Sequence, residues 1–211
     1  MPCAAPLLAR QDRLRKFAEQ AHEIGLLLVK HLSCSLRLSP DQALQNAHRF
    51  SELSTSAIGL LKYPPGHSKD AGRLGQIAHT DVGSITLLFS SLGGLQVLDT
   101  QTGTWNYIEP RAGHAVVNIG DSLRFLSGCR LGSSLHRVIP HPDSERNARY
   151  SIAYFMRPEK KAEFQDDVGK RWTGIGWHTR KFEVFRAPLE KQKQDSVLTG
   201  TKGYVGLWQE A

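Results

Sequence analysis

The chain has 211 residues, of which 40% are hydrophobic and 22% charged, and it carries a formal net charge of +7. An intrinsically disordered chain would have fewer apolar residues and a larger charge imbalance, so the composition predicts one globular domain. No run of apolar residues approaches the roughly 18 that a membrane-spanning helix requires, and we therefore expect no membrane span.

The cysteines and the first residues indicate a reducing compartment. Cys3, Cys34 and Cys129 are odd in number and widely spaced, which favours neither a disulfide framework nor a cysteine-based zinc motif. The start of the chain lacks the basic and apolar segments of a secretory signal, so a cytoplasmic location is predicted. The excess of basic residues is typical of a solvated surface. The more specific alternative is that the basic residues attract nucleic acid, acidic lipid headgroups or a small carboxylate.

The first third of the chain has a helical pattern. Residues 11–30 carry apolar side chains at the i, i+3, i+4, i+7 spacing of one buried helix face. Ser39 followed by Pro40 is a favourable helix start, with serine as N-cap and proline in the first turn. This pair predicts a second helix over 39–53, and a third helix is predicted near 178–185.

Between these helical regions the apolar residues occur in short runs separated by Gly, Pro, Asp or Ser. Strands are predicted over 58–63, 77–79, 84–89, 95–99, 105–108, 115–119, 135–139 and 150–155. Eight short strands favour an antiparallel sandwich or barrel, and a jelly roll has this number. With the flanking helices the fold class is α+β. We predict one structural domain, made of an N-terminal helical segment (1–57), a core (58–157) and a C-terminal helical or lid segment (158–211).

The pair His79 and Asp81 is the first candidate for metal binding. In an extended segment residues i and i+2 point to the same face, so one imidazole and one carboxylate could hold one ion. A turn aspartate beside an exposed histidine is the alternative for the pair alone. His136 follows 57 residues later on a predicted strand. Two histidines and one carboxylate form the facial triad that binds non-haem Fe(II) and keeps coordination positions open.

Arg149 and Ser151 form a second pair on one face of a predicted strand. Arginine can bind a carboxylate with two hydrogen bonds, and serine can add a third. The pair therefore predicts a carboxylate-binding site, whereas the alternative for Arg149 is a surface arginine on an edge strand.

Three motifs occur together in the order His79-x-Asp81, His136-Arg137-Val138 and Arg149-x-Ser151. In this order they resemble the iron(II)/2-oxoglutarate-dependent dioxygenases, specifically the isopenicillin N synthase-like branch. The flanking segments 78–88, 94–97 and 117–121 agree with that resemblance, which covers residues 58–157. The resemblance implies a double-stranded β-helix (jelly-roll) core and an oxidoreductase enzyme.

The same resemblance implies roles for individual residues. His79, Asp81 and His136 would be the iron ligands, and Arg149 and Ser151 would bind 2-oxoglutarate. The implied cofactors are Fe(II), 2-oxoglutarate and O2, with ascorbate as a reductant.

Two more residues match the family near this site. Tyr63 corresponds to a tyrosine before proline that could add a hydrogen bond to the 2-oxoglutarate carboxylate. Leu61 departs from the family, because an asparagine often stands there and helps to bind the cosubstrate. Phe155 could form a wall of the substrate pocket or be a core aromatic.

The expected reaction is the hydroxylation, desaturation or ring closure of a small organic molecule in secondary metabolism, with neither nucleic acid nor membrane as partner. A 2-oxoglutarate-independent iron oxidase of the isopenicillin N synthase or ACC oxidase type is an alternative, as is a non-catalytic relative. A nucleic-acid demethylase would suit the charge, but its second arginine pattern is missing after Arg149. Relatives carry a longer region before the first strand, so we expect a more open pocket or one that a homo-oligomer completes.

Overall fold

Two four-stranded antiparallel sheets form the centre of the molecule in the computed structural model, which describes residues 5–64, 76–139 and 147–200. One sheet has the strand order β1-β8-β3-β6 and the other β2-β7-β4-β5. The strands are β1 (Ala57–Tyr63), β2 (Gln76–His79), β3 (Ile85–Ser90), β4 (Leu95–Asp99), β5 (Thr104–Ile108), β6 (Val116–Ile119), β7 (His136–Val138) and β8 (Arg149–Met156). Eight strands in this arrangement make a jelly roll, as predicted. The first and last residues of each strand lie within one residue of the predicted limits.

Helices and one hairpin surround the sheets. The helices are α1 (Ala5–Leu8), α2 (Gln11–Ser35), α3 (Asp121–Leu126), α4 (Gly174–Arg186) and α5 (Leu189–Gln194). Strands β9 (Glu163–Gln165) and β10 (Arg171–Thr173) form the separate antiparallel hairpin. Within the described ranges no helix is long and apolar enough to cross a membrane. The segment boundaries proposed after residues 57 and 157 stay predictions.

The helix predicted over 39–53 is wrong. The structure has two short 3₁₀ helices there, Pro40–Gln42 and Leu44–Ala47, separated by Ala43 in an extended conformation. The backbone N–H of Leu44 donates to Ser33 Oγ on α2 (2.9 Å). This contact, together with the complete burial of Leu44, draws the chain onto α2 and breaks the helix, so tertiary packing overrides local propensity.

The pleat of strand β8 separates two environments. Arg149, Ser151, Ala153 and Phe155 line a cavity between the sheets, whereas Tyr154 on the alternate face is buried in the core. Neighbouring residues of a strand point to opposite faces, so one strand serves both the core and the cavity.

Helix α2 covers the outer face of the first sheet. Its buried residues include Ala21, Gly25 and Val29, a spacing of four that places them on one side of the helix. A Cβ atom at Gly25 would lie only 2.6 Å from Met156 Sδ on β8. The absence of a side chain at Gly25 thus leaves room for Met156, and a larger residue would require the flexible methionine side chain to move.

Two buried histidines connect α2, the 3₁₀ segment and the sheet. His22 Nε2–H donates to the carbonyl of His48 (2.9 Å), and His22 Nδ1 accepts from Tyr154 Oη (3.0 Å). His48 Nδ1–H donates to the carbonyl of Leu44 (2.7 Å), and its Nε2 accepts from Ser84 Oγ (2.6 Å). Both nitrogens of each ring are thus hydrogen-bonded, and for His48 burial favours the neutral imidazole.

We expect His48 to make the fold less stable in mild acid. Burial lowers its pKa from 6.5 to about 4, with the histidine His22 as a smaller cause in the same direction. The unfolded chain takes up the proton first as the pH falls, so stability is unaffected above 6.5 and is lost progressively between 6.5 and about 4. The resulting decrease in the free energy of unfolding reaches about 2 kcal/mol near pH 5.

Urea unfolding of the metal-free protein near pH 7 and pH 5 measures this effect. His48→Gln removes the titrating group, so it should show a smaller loss of stability between the two pH values than the parent chain. His114→Gln changes an exposed histidine and serves as the control. An equal loss in the parent and the His48→Gln variant would contradict the prediction.

Candidate active site

Three side chains that the sequence singles out converge between the two sheets. His79 Nε2 and His136 Nε2 each lie 3.8 Å from Asp81 Oδ1. One ligand atom from each of the three residues lies within 4.8 Å of the others, and no other group of this kind occurs among the described residues. His79 and His136 face each other across paired strands β2 and β7, so the register of one strand pair places both rings together.

Hydrogen bonds orient both imidazoles. His79 Nδ1–H donates to the carbonyl of Ile77 (2.7 Å), and His136 Nδ1–H donates to the carbonyl of Ser134 (3.0 Å). A carbonyl can only accept, so each Nε2 carries the lone pair and points it toward Asp81. This arrangement, in which the outer nitrogen is fixed by the backbone, is the one that metal-binding histidines use.

Asp81 is held by two donors on one of its oxygens. Thr86 Oγ1 on β3 and Asn118 Nδ2 on β6 both donate to Asp81 Oδ2, each at 2.7 Å. Its other oxygen, Oδ1, remains directed toward the two histidines. The carboxylate is thereby oriented as a ligand before any ion arrives.

The electrostatics of the three groups suit a cation. Burial, followed by repulsion from His136, lowers the pKa of His79 from 6.5 to about 3, so this imidazole is neutral at neutral pH. Burial raises the pKa of Asp81, but the two histidines and the hydrogen bonds from Thr86 and Asn118 outweigh burial and hold it below its ordinary value. A neutral imidazole and an ionised carboxylate are the forms that bind a metal ion.

A cavity of about 320 Å³ opens beside these three residues. Its lining includes the other predicted site residues, namely Tyr63, Arg149, Ser151 and Phe155. Leu61, Leu88, Val97 and Val116 make much of the remaining wall apolar. The structure therefore brings all seven predicted residues to one cavity, and Leu61 faces it as well.

Arg149 presents a buried positive charge in this cavity. Its Nε–H donates to the carbonyl of Gly93 (3.0 Å), its Nη1–H donates to Ser151 Oγ (2.6 Å), and its guanidinium lies 5.2 Å from the ring centre of Tyr63. The residue is only 4% exposed, and burial lowers its pKa. Among the described residues no carboxylate pairs with it, so the charge is available to an anion in the cavity.

The comparison with known families identifies this constellation. The profile of the 2OG-Fe(II) oxygenase superfamily matches residues 40–158, more than half of the chain. The chain belongs to this superfamily. Fe(II) and 2-oxoglutarate are the cofactor and cosubstrate for which the superfamily is named, and the His–Asp–His group supplies donors that Fe(II) accepts.

Individual relatives agree with this assignment. The 2-oxoglutarate-dependent dioxygenase iboH of Amanita muscaria is 43% identical over 187 residues, which cover 87% of this chain and 90% of iboH. The oxidoreductase vrtI of Penicillium aethiopicum is 38% identical over 204 residues, 94% of this chain and 49% of vrtI. A Neurospora crassa protein crystallised in complex with alpha-KG has a TM-score of 0.74 at 25% identity, and the match covers 88% of this chain and 60% of that protein. The chain thus spans about half the length of several curated relatives.

The groups that support the metal site of this superfamily member were not predicted from the sequence. Lys181 on α4 is fully buried, and its Nζ donates to Thr80 Oγ1 (2.6 Å) and to Asp121 Oδ2. Thr80 lies between two of the converging residues, and the backbone N–H of Asp121 donates to the carbonyl of Asp81 (2.8 Å). The Lys181–Asp121 pair therefore supports the end of β2 and the residues that follow it, where His79 and Asp81 lie. The segment 117–121 contains Asn118 and Asp121, but nothing in the sequence pairs either residue with its partner.

Helix α3 also depends on a glycine that contacts this loop. A Cβ atom at Gly120 would lie 2.4 Å from the carbonyl oxygen of Gly83 and 2.8 Å from that of Asp81. Backbone atoms cannot move aside like a flexible side chain, so only glycine allows α3 to begin against the loop.

We expect Lys181→Met to lower the free energy of unfolding by about 3–5 kcal/mol, because it leaves the buried Asp121 carboxylate unpaired. The double variant Lys181→Met with Asp121→Asn removes the stranded charge and should recover part of this loss. Urea unfolding of both variants measures the difference, with Lys161→Met on an exposed lysine as the control. Equal destabilisation in the single and double variants would show that charge pairing is not the cause.

Proposed function

We propose that this chain is an Fe(II)- and 2-oxoglutarate-dependent dioxygenase that oxidises a small organic molecule. The observation that carries the proposal is the presence, in one cavity, of three converging metal donors and a buried arginine without a carboxylate partner among the described residues. A metal site alone would suit many proteins, whereas the added anion site suits a metal enzyme with a carboxylate cosubstrate.

In this proposal His79, Asp81 and His136 are the ligands of Fe(II). Two imidazoles and one carboxylate match the facial triad, which would leave coordination positions of the ion open. When bound, Fe(II) and 2-oxoglutarate supply the activation of O2 that oxidises an otherwise unreactive C–H bond. The protein's part is to hold the donors in place and to keep the cavity walls apolar.

The remaining residues position the organic molecules. Arg149 and Ser151 would bind the distal carboxylate of 2-oxoglutarate, since a guanidinium and a hydroxyl on one face can both donate to its oxygens. Tyr63, beside Arg149, would add a third donor, and Phe155 would contact the substrate. The volume of about 320 Å³ fits a small molecule. A role in secondary metabolism, a cytoplasmic location and completion of the pocket by a second copy are further parts of this proposal.

In the presence of O2, iron-loaded protein should convert 2-oxoglutarate to succinate and CO2, whether or not a substrate is present. Arg149→Gln should raise KM for 2-oxoglutarate by about 10–100-fold, because a charge-assisted interaction is lost. His79→Ala and chelation of the metal should both remove the activity, since each removes part of the metal centre. A succinate assay over a range of 2-oxoglutarate concentrations measures all three effects.

Arg171→Gln changes an exposed arginine and should leave KM unchanged. Absence of any 2-oxoglutarate turnover in folded, iron-loaded protein would reject the proposal and favour the 2-oxoglutarate-independent type of iron oxidase. Unchanged iron affinity in His79→Ala would show that the assigned ligand set is wrong.

We expect Asn118→Ala to weaken iron binding by about 10–100-fold, since it removes one of the two donors that orient Asp81. Calorimetric titration with Fe(II) under anaerobic conditions measures the affinity. Asn106→Ala, at an exposed position on β5, is the matched control. Iron affinity that is equal in the two variants would contradict the role assigned to Asn118.

A further inference from the structure

Arg157 is a second arginine, and it stands directly after the strand that carries Arg149. The backbone N–H of Arg157 donates to Ser56 Oγ (3.0 Å), and the residue follows directly after β8. Residues 149, 151, 153 and 155 line the cavity, and the period of two continues to 157. Eight residues of extended chain span roughly 26 Å, so the backbones of Arg149 and Arg157 are far apart and their guanidinium groups can bind different ligands.

The stem of Arg157 lies against the loop that follows Asp81. A Cβ atom at Gly83 would be only 2.9 Å from Arg157 Cγ, so the two residues are in close contact. The Asp81 carboxylate is near enough to raise the pKa of Arg157, although burial, the larger cause, lowers it. Both oxygens of Asp81 are already engaged, one by Thr86 and Asn118 and the other by its position between the histidines.

The guanidinium of Arg157 has unused hydrogen-bonding capacity. Its Nη1–H donates to the carbonyl of Thr55, while its Nε is buried and has no partner among the described groups. None of the ion pairs formed by the described residues includes Arg157. A partly buried cation with an unpaired N–H is costly unless an anion joins it.

Aromatic rings connect Arg157 with the metal site. The guanidinium lies 5.5 Å from the ring centre of Phe155 and 5.7 Å from that of Phe182. The ring of Phe182 is 5.9 Å from Phe185, and Phe185 is 5.6 Å from the ring of His79. Phe182 and Phe185 therefore form an apolar path from Arg157 to His79, and Phe155 lies beside its start. Aromatic rings pack well against a flat, apolar partner.

Apart from Asp81, the polar groups that interact with Arg157 are positive or neutral. Burial, followed by Arg157 and Arg186, lowers the pKa of His178 to about 4, so this ring is neutral at neutral pH. Its Nδ1 is 3.3 Å from Thr55 Oγ1. Among the described residues, therefore, the surroundings of Arg157 contain cations and neutral donors but no free carboxylate.

We propose that Arg157, with Phe155, Phe182 and Phe185, forms the substrate subsite, and that the substrate is an aromatic small molecule carrying a carboxylate. This inference rests on the proposed function, because it places the C–H bond to be oxidised between Arg157 and the metal ligands. The carboxylate pairs with the guanidinium, and the aromatic body lies along the phenylalanine path toward His79. Arg149 stays with the cosubstrate at the other end of the strand.

Anaerobic calorimetric titration of the protein loaded with Fe(II) and 2-oxoglutarate tests the proposal. The probes are phenylacetate, cinnamate and 2-naphthoate, each compared with its uncharged primary amide. We expect at least one acid to bind about tenfold or more tightly than its amide, since one charged hydrogen-bonded contact has this effect. Absence of any preference for acids over amides across the panel would overturn the proposal.

Variants assign the preference to one residue. Arg157→Gln should weaken acid binding by about 10–100-fold, leave amide binding nearly unchanged and leave 2-oxoglutarate affinity unchanged. Arg157→Lys keeps the charge and should retain part of the preference, while Arg171→Gln should retain all of it. Circular dichroism and thermal unfolding verify that each variant is folded. Retention of the full acid preference in folded Arg157→Gln would also overturn the proposal.

The same titrations separate this inference from the proposed function. Binding of Fe(II) and of 2-oxoglutarate is measured in the same samples, and the acids are also titrated into metal-free protein. Loss of 2-oxoglutarate binding with an intact, Arg157-dependent acid preference would reject the cosubstrate and keep the carboxylate subsite. Normal 2-oxoglutarate binding without an acid preference would keep the proposed function and reject the subsite.

Discussion

Two hydrogen bonds to one oxygen of Asp81 connect the candidate metal site with the fold. Thr86 and Asn118 belong to one sheet, whereas the histidines that face the other oxygen belong to strands of the second sheet. The carboxylate therefore joins the two sheets at the position where an ion would bind. A buried carboxylate would be costly without these donors, so the jelly roll and the site stabilise the same arrangement.

Packing on two sides of the molecule holds Asp81 and the two histidines in place. Helix α2 packs on the outer face of the first sheet, and its contact through Gly25 and the buried His22–His48 pair fixes the position of β3 and β8. On the other side, Lys181 and Asp121 hold the loop between His79 and Asp81. A metal site with three protein ligands needs such rigidity, because small displacements of the donors change both affinity and geometry.

Strand β8 has a buried or partly buried arginine at each end. Arg149 at its start and Arg157 just after its end are both partly or fully buried, and both have lowered pKa values because burial opposes the charged form. Neither is paired with a carboxylate in the described part of the chain. The net charge of +7 is a property of the whole chain, whereas the ligand roles proposed above concern these two guanidinium groups alone.

Much of the architecture could be predicted from the sequence, because it depends on patterns that repeat over a few residues. Alternation of apolar residues and the turn residues between them located all eight strands, and the spacing of the His, Asp and Arg motifs located five of the seven residues that meet in one cavity. The other two, Tyr63 and Phe155, followed from the family resemblance. The helix over 39–53 failed because a contact with α2, remote from its local signals, decides the conformation there.

Only the tertiary structure decided which groups support the site. Lys181 is 60 residues from Asp121 and 101 from Thr80, and a single sequence contains no pattern that pairs residues at such distances. The same holds for Arg157, which by sequence is one arginine among many. Its position beside the Asp81 loop follows from the register of β8 against its neighbours and from the packing of helix α4. Local periodicity determines which elements form, whereas long-range packing determines which buried polar groups meet.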